Sequence, residues 1–239
     1  KTMQKDEIYK RKLKKISTFR FNKEVACAFD DMVNRSVPLY KGLQNLLAKL
    51  AVHFHKPDKI IYDLGCATGE TLYKIAKNKP KKVEIRMVGM DLSPHMLKVA
   101  QYKCSNFPEI NFVEEDTLKA DIVNPGVVIL TYVLHFFEIK KRKALLSKIF
   151  NSLETGGVAL ISEKIHCDEL EKDFMKLHDL FKIEHRYSKL EIKQKKKALE
   201  KSLTPLSYEE NKKMIHDCGF QTVETFFQCL NFCGFIAIK

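Results

Sequence analysis

The sequence predicts an α/β fold in which a mostly parallel sheet of seven strands is connected by helices. Three observations carry that expectation. From Lys59 onward, short apolar runs alternate with amphipathic stretches of helical period. The run 127–132 is apolar throughout, as suits a parallel strand covered on both faces. Two closing strand-like runs, 221–228 and 231–238, are separated by only two residues, which suits an antiparallel hairpin closing the sheet.

The elements follow in order. Residues 21–34 place Phe21, Val25, Ala28, Phe29 and Met32 on one helical face, with Asn22 as the cap. Pro38 biases Val37 away from helix, and the Leu43, Leu46, Leu47, Leu50 stripe starts a second helix over 40–54. Strand one is 60–64, followed by a glycine turn and a helix starting at Thr68 or Gly69. Strand two is 83–90 and ends at Asp91. Ser93 caps the next helix, with Pro94 at its first position, where a missing N–H costs nothing. Strand three is 110–113, strand four 127–132 and strand five 158–162, with an amphipathic helix over 141–153. Residues 165–202 are long, polar and lysine-rich and break the rhythm; a last helix over 206–218 stops at Gly219. The expected organisation is a basic arm (1–21) and one domain (22–239), with a helical cap (22–57) and a helical insertion (165–205) before the last two strands.

Bulk properties narrow the class. With 239 residues, 45% of them hydrophobic, the chain can bury a full core. No run approaches the roughly 18 to 20 apolar residues that cross a bilayer, and the charged start lacks a signal-peptide core. No membrane association is expected, and a cytoplasmic location is. The seven cysteines form no CxxC pair and no zinc spacing, so reduced thiols and no metal site are expected. The formal charge of +12 attracts anions, but it is almost all lysine and has no interleaved aromatic stripe for single-stranded RNA.

The sharpest local signal is the turn Asp63-Leu64-Gly65-Cys66-Ala67-Thr68-Gly69. Gly65 allows the backbone to approach a ligand, and Gly69 allows tight strand–helix packing. The spacing Gly65-x-x-x-Gly69 is not the GxGxxG that cradles a diphosphate. Asp91 ends strand two, where an acid can accept hydrogen bonds from two ribose hydroxyls, and Asp116 follows strand three. Carboxyl ends of strands are where open α/β sheets bind ligands. An aspartate there can also serve only as a helix cap.

At these residues the chain resembles the class I S-adenosylmethionine-dependent methyltransferases, with Ala67 where many members have glycine. That resemblance implies a Rossmann-like class I methyltransferase fold with a seven-stranded, mostly parallel sheet and an antiparallel last strand. Longer segments are similar to the carboxy-S-adenosyl-L-methionine synthases: residues 29–40 (FDDMVNRSVPLY), Tyr62 to Cys66, Ser162-Glu163-Lys164, residues 187–192 (YSKLEI) and residues 227–232 (FQCLNF). The similarity runs from about Phe19 to Lys239.

This second resemblance implies that S-adenosyl-L-methionine is a substrate rather than a methyl donor, without a metal. A carboxyl group would pass from prephenate to the sulfonium methyl carbon, giving carboxy-S-adenosyl-L-methionine and phenylpyruvate. The product would serve oxyacetate modification of a tRNA wobble uridine by a second enzyme, with no direct tRNA binding by this chain. A homodimer is implied as well. Carried over by position, Tyr40 contacts the methionine end, Gly65, Cys66 and Ala67 line the turn, and Asp91 and Leu92 lie at the ribose. Asp116 and Thr117 meet the adenine, and Thr131 lies near the methionine portion, where the family usually has asparagine. Lys196 stands where the family has an arginine for the new carboxylate, reaching across a dimer interface. Lysine keeps the charge and loses the planar fork. Arg35 is a further substrate-anion candidate, and His135 is not assigned as a base. The alternatives are a conventional methyltransferase acting on tRNA or a small molecule, and a non-catalytic S-adenosylmethionine-binding protein.

Overall fold

The structure, a computed structural model, describes residues 4–239. Residues 1–3 of the basic arm lie outside the described residues.

Five strands pair in parallel: β1 (Ile60–Leu64), β2 (Arg86–Asp91), β3 (Ile110–Glu114), β4 (Pro125–Thr131) and β5 (Val158–Lys164). The hairpin β6 (Thr222–Cys229) and β7 (Phe232–Ile238) completes the sheet, with β7 antiparallel to both β5 and β6. The order is β3-β2-β1-β4-β5-β7-β6. The direction of progression reverses between β1 and β4, and a crevice opens at such a switch point outside the strands' carboxyl ends.

Each face of the sheet is covered. On one face lie α2 (Tyr40–Phe54) and α3 (Glu70–Asn78), whose Leu43, Leu47, Leu72 and Ile75 pack on Ile61, Met87, Ile129 and Leu160. On the other lie α5 (Ile139–Ser152) and α8 (Tyr208–Asp217), where Leu146, Ile149, Met214 and Ile215 meet Val128, Leu130, Ala159 and Ile161. Fully burying one such side chain stabilises by about 1.5–3 kcal/mol, so the two layers supply most of the driving force. α1 (Lys23–Ser36) is capped by Asn22, whose side chain accepts from Val25 N–H. It packs against α4 (Pro94–Lys103), capped by Ser93 with Pro94 in its first turn.

Some boundaries differ from the sequence expectation. β2 starts at Arg86 rather than residue 83, because Val83 N–H closes a turn onto the Pro80 carbonyl. β4 starts at Pro125, where a strand tolerates a missing donor, and ends before Tyr132, which turns out of the ladder at φ 60°. The insertion forms two helices, α6 (Glu171–Glu184) and α7 (Lys189–Leu199). They are separated by Arg186 at φ 68° and restarted by the Ser188–Glu191 capping box. The arm runs over α1 and α7: Gln194 donates to the carbonyls of Tyr9 and Arg11, both at 2.9 Å, and accepts from Leu13 N–H.

Candidate cofactor and active site

The turn after β1 is braced from two sides. The Gly65 and Cys66 N–H groups both donate to the Met90 carbonyl, at 2.8 and 2.9 Å, which folds the turn onto the tip of β2. Gly65 sits at φ 77°, and a Cβ there would lie 2.6 Å from a Val133 methyl carbon. Ala67 adopts φ 47°, the left-handed region that favours glycine. Its N–H donates to Asp91 Oδ2 at 2.9 Å, while Ser93 N–H donates to Asp91 Oδ1 at 2.8 Å. Burial raises the Asp91 pKa, and these two N–H groups oppose the rise. Leu92, beside it, is 62% exposed at the crevice mouth.

Beneath the turn, Asp63 is 2% exposed and faces α2 and α3. The Thr71 hydroxyl lies between this carboxyl and Gln44 Oε1, 2.7 Å away. Desolvation pushes the Asp63 pKa up to about 7; Thr71 opposes the rise and the Asp91 charge adds to it. A buried acid with so little compensation suits a cationic ligand group. In the sequence Asp63 is only the start of the turn motif; its burial beneath that turn, against α2 and α3, is the signal that singles it out.

Further along the strand edge, Tyr40 opens α2 immediately after Leu39, which is left-handed at φ 56°. The Tyr40 and Tyr132 rings stack with centroids 6.5 Å apart, and burial raises the pKa of both phenols. Thr131 Oγ1 and Tyr132 Oη are buried without a hydrogen-bond partner. Beyond β3, Asp116 Oδ1 accepts from Leu118 N–H at 3.0 Å, and Thr117 is 6% exposed. Gly65, Cys66, Ala67, Asp91, Leu92, Asp116, Thr117, Thr131 and Tyr40 thus line one edge, the carboxyl ends of β3, β2, β1 and β4.

Two candidates stand apart. Arg35 spends four of its N–H bonds inside the protein, on the carbonyls of His185, Arg186 and Asp6 and on Asp31 Oδ2. Its guanidinium lies 3.9 Å from the Tyr187 ring centroid, so it clasps the arm, α1 and the α6–α7 loop together. Lys196 pairs with Asp179 on the outer side of α6 and α7, with its side chain 41% exposed. It borders a shallow depression of about 360 Å³ shared with Lys172, Met175, Lys176 and Leu180. His135 is held locally: Glu163 accepts the N–H groups of Leu134 and His135, both at 2.9 Å, and lies 3.0 Å from His135 Nδ1.

The residues present fit an adenosyl sulfonium ligand. The glycine turn lets Val133 pack directly on the backbone at Gly65, an acid tips β2, and Thr131 holds an unused hydroxyl. Among the described residues, no group of His, Cys, Asp and Glu could hold a metal ion.

Comparison with known proteins agrees with this geometry. Residues 61–157 match the family profile described as a methyltransferase domain. The chain resembles human N-acetylserotonin methyltransferase in complex with SAM at TM-score 0.64 and 18% identity, over 91% of this chain and 55% of that one. It also resembles magnesium protoporphyrin IX methyltransferase of Synechocystis with bound SAH, at TM-score 0.58 and 16% identity, over 83% of this chain and 82% of that one. At those identities the likeness shows the fold, a class I methyltransferase fold. Sequence relatives reach further. The carboxy-S-adenosyl-L-methionine synthase of Desulfotalea psychrophila is 41% identical over 226 residues, 92% of each chain. That of Campylobacter fetus is 37% identical over 238 residues, 98% of this chain and 100% of the relative. With the fold and near full-length likeness together, the chain belongs to the carboxy-S-adenosyl-L-methionine synthase family of transferases.

Proposed function

We propose that the chain converts S-adenosyl-L-methionine and prephenate to carboxy-S-adenosyl-L-methionine and phenylpyruvate. The observation that carries this is the 41% identity to a carboxy-S-adenosyl-L-methionine synthase across 92% of the chain. Prephenate loses its ring carboxyl group and hydroxyl as the ring becomes aromatic. The carboxyl carbon forms a new bond to the methyl carbon on sulfur, and the displaced methyl proton leaves with the hydroxyl as water. The sulfonium supplies the acidity of that methyl group. Asp91 would hold the ribose hydroxyls, with Leu92 beside it, and Gly65, Cys66 and Ala67 would give their backbone to the ligand. Asp116 and Thr117 would meet the adenine, and Tyr40 and Thr131 the methionine portion. The product would supply the oxyacetate group of a tRNA wobble uridine in a later step by another protein.

Lys196 completes the proposed site from a second copy. α6 exposes Met175, Leu177, Leu180 and Ile183, with Leu170 at its start, an apolar surface of the kind that interfaces cover. Lys196 borders that surface, so a homodimer would carry its charge toward the partner's ligand. Arg35, with four of its N–H donors committed inside the protein, is left out of the substrate clamp. Seven free thiols support a cytoplasmic setting.

The match to a methyltransferase profile favours conventional methyl transfer as the second reading. Mass spectrometry of the ligand carried through purification separates the two. Carboxy-S-adenosyl-L-methionine is expected; S-adenosylhomocysteine alone, with no consumption of prephenate, would overturn the synthase.

A further inference from the structure

One stretch of the strand edge remains without a role, where β5 ends and β7 begins beyond Thr131. Alternate residues of a strand share a face, so Leu160, Ser162 and Lys164 point to the same side as the α2 layer. Thr131 pairs laterally with Ser162, and Lys164 pairs with Phe232. Asn231 precedes Phe232 and is tied in by Ile165 N–H donating to its carbonyl at 2.9 Å. Ser162 and Asn231 are both 0% exposed, yet Ser162 Oγ, Asn231 Oδ1 and Asn231 Nδ2 have no hydrogen-bond partner. Fully buried polar groups are rarely left unpaired unless something else satisfies them.

Above this floor sits an excess of cations. His178 of α6 packs on Phe232 at 5.2 Å, and its Nε2 meets the Ser36 carbonyl at 2.7 Å. Lys182, one turn later, has a side chain only 11% exposed and reaches Asp179 at 3.4 Å, an acid already shared with Lys196. Lys195 of α7, 14% exposed, donates to Ser36 Oγ at 3.0 Å and lies 3.8 Å from Asp6. Asp6 in turn is already taken by the Tyr187 hydroxyl. Lys164 is half-buried; desolvation lowers its pKa, the charges of Glu171 and Asp179 oppose that, and Lys196 adds to it. The cost shows in the titration of the group. Lys182 and Lys195 are each held down to about 8, first by desolvation, which outweighs the raising charges of Asp179 and Asp6, with neighbouring cations adding. His178 is held neutral at about 3, first by desolvation.

We infer that Lys164, Lys182, Lys195, Ser162 and Asn231 form a second-substrate subsite for an organic dicarboxylate that also carries a hydroxyl or keto oxygen. The lysines supply charge for the carboxylates, and Ser162 and Asn231 supply donors and acceptors for the neutral oxygens. Position agrees with chemistry. The nucleoside candidates occupy the edge from β3 to β1, Thr131 and Tyr40 mark the methionine end, and this cluster comes next, at β5 and β7. A ligand there abuts the reacting end of the cofactor. The subsite rests on the carboxyl-transfer reading only for the choice of probe.

Two variants and two readouts test it. Removing an unpaired buried hydroxyl leaves no partner stranded, so Ser162→Ala should keep or raise the melting temperature. In the same variant the KM for prephenate should rise about tenfold. Lys182→Gln should raise it about 10- to 100-fold, with S-adenosyl-L-methionine affinity within about twofold of wild type in both. In parallel, prephenate is titrated calorimetrically into the S-adenosylhomocysteine complex, which has no methyl group to react. Weakened prephenate binding in both variants supports the subsite even if wild type shows no turnover, an outcome that would sink the synthase alone. Turnover with unchanged KM in both variants, or no prephenate binding to wild type, overturns the subsite.

Discussion

Asp91 accepts the Ala67 N–H through one carboxylate oxygen and the Ser93 N–H through the other, so one side chain ties together the turn after β1 and the start of α4. A ribose that also bonds Asp91 meets a carboxylate whose orientation is already fixed. Asp91→Asn should therefore weaken S-adenosyl-L-methionine about 10- to 100-fold, the range for losing charge-assisted hydrogen bonds. Calorimetric titration measures it. A change under twofold would remove Asp91 from the ribose site.

Asp63 makes the ligand-free protein sensitive to pH. Its folded pKa of about 7 lies above the ordinary value of 3.8. The folded state then holds a proton that the unfolded state has released, so this group's stabilisation falls as pH rises from about 4 to about 7. Asp63→Asn should remove that fall and be the more stable protein at pH 8, by on the order of a few kcal/mol at most. Urea unfolding of both proteins at pH 5 and pH 8 checks this. Binding of a cationic sulfonium near Asp63 should also release protons near neutral pH, visible as a binding enthalpy that depends on the buffer's ionisation enthalpy.

Ala67 carries a small conformational load at φ 47°. Glycine relieves that load at the expense of greater freedom in the unfolded chain. Ala67→Gly should be neutral or stabilising by up to about 1 kcal/mol, with cofactor affinity retained. Destabilisation by more than that in thermal unfolding would mean that the Ala67 methyl group packs against something essential.

Lys196 and the α6 surface make a paired prediction. Lys196→Ala should weaken carboxy-S-adenosyl-L-methionine about tenfold or more while leaving S-adenosyl-L-methionine within about twofold. Leu180→Asp, in the exposed apolar surface, should convert a dimer to a monomer in sedimentation experiments and weaken the carboxylated ligand in the same way. Equal weakening of both ligands by Lys196→Ala would take that residue out of the carboxylate site.

The strand-end positions of the candidate cofactor edge were legible because their signals are local. A glycine after an apolar strand, an aspartate at the next strand's tip and a Ser-Pro helix start depend on a few neighbouring residues. The proposed subsite was not, because its parts lie far apart in sequence: Ser162, Lys164, Lys182, Lys195 and Asn231 are brought toward one another only by the sheet and the insertion. The run Lys195-Lys196-Lys197 shows the limit well. Three identical side chains carry no sign of which turns inward. That choice is made by Ile192, Gln194 and Ala198, which the arm and core bury, and it places Lys195 inside and Lys196 on the rim. β2 began late for the same reason, since Val83 to Ile85 read as strand until a turn claims the Val83 N–H.

The Arg35 clasp has a kinetic consequence. Because one guanidinium holds the Asp6, His185 and Arg186 carbonyls together, the arm, the end of α1 and the α6–α7 loop cannot fray one at a time. They should exchange their amide hydrogens as one cooperative unit.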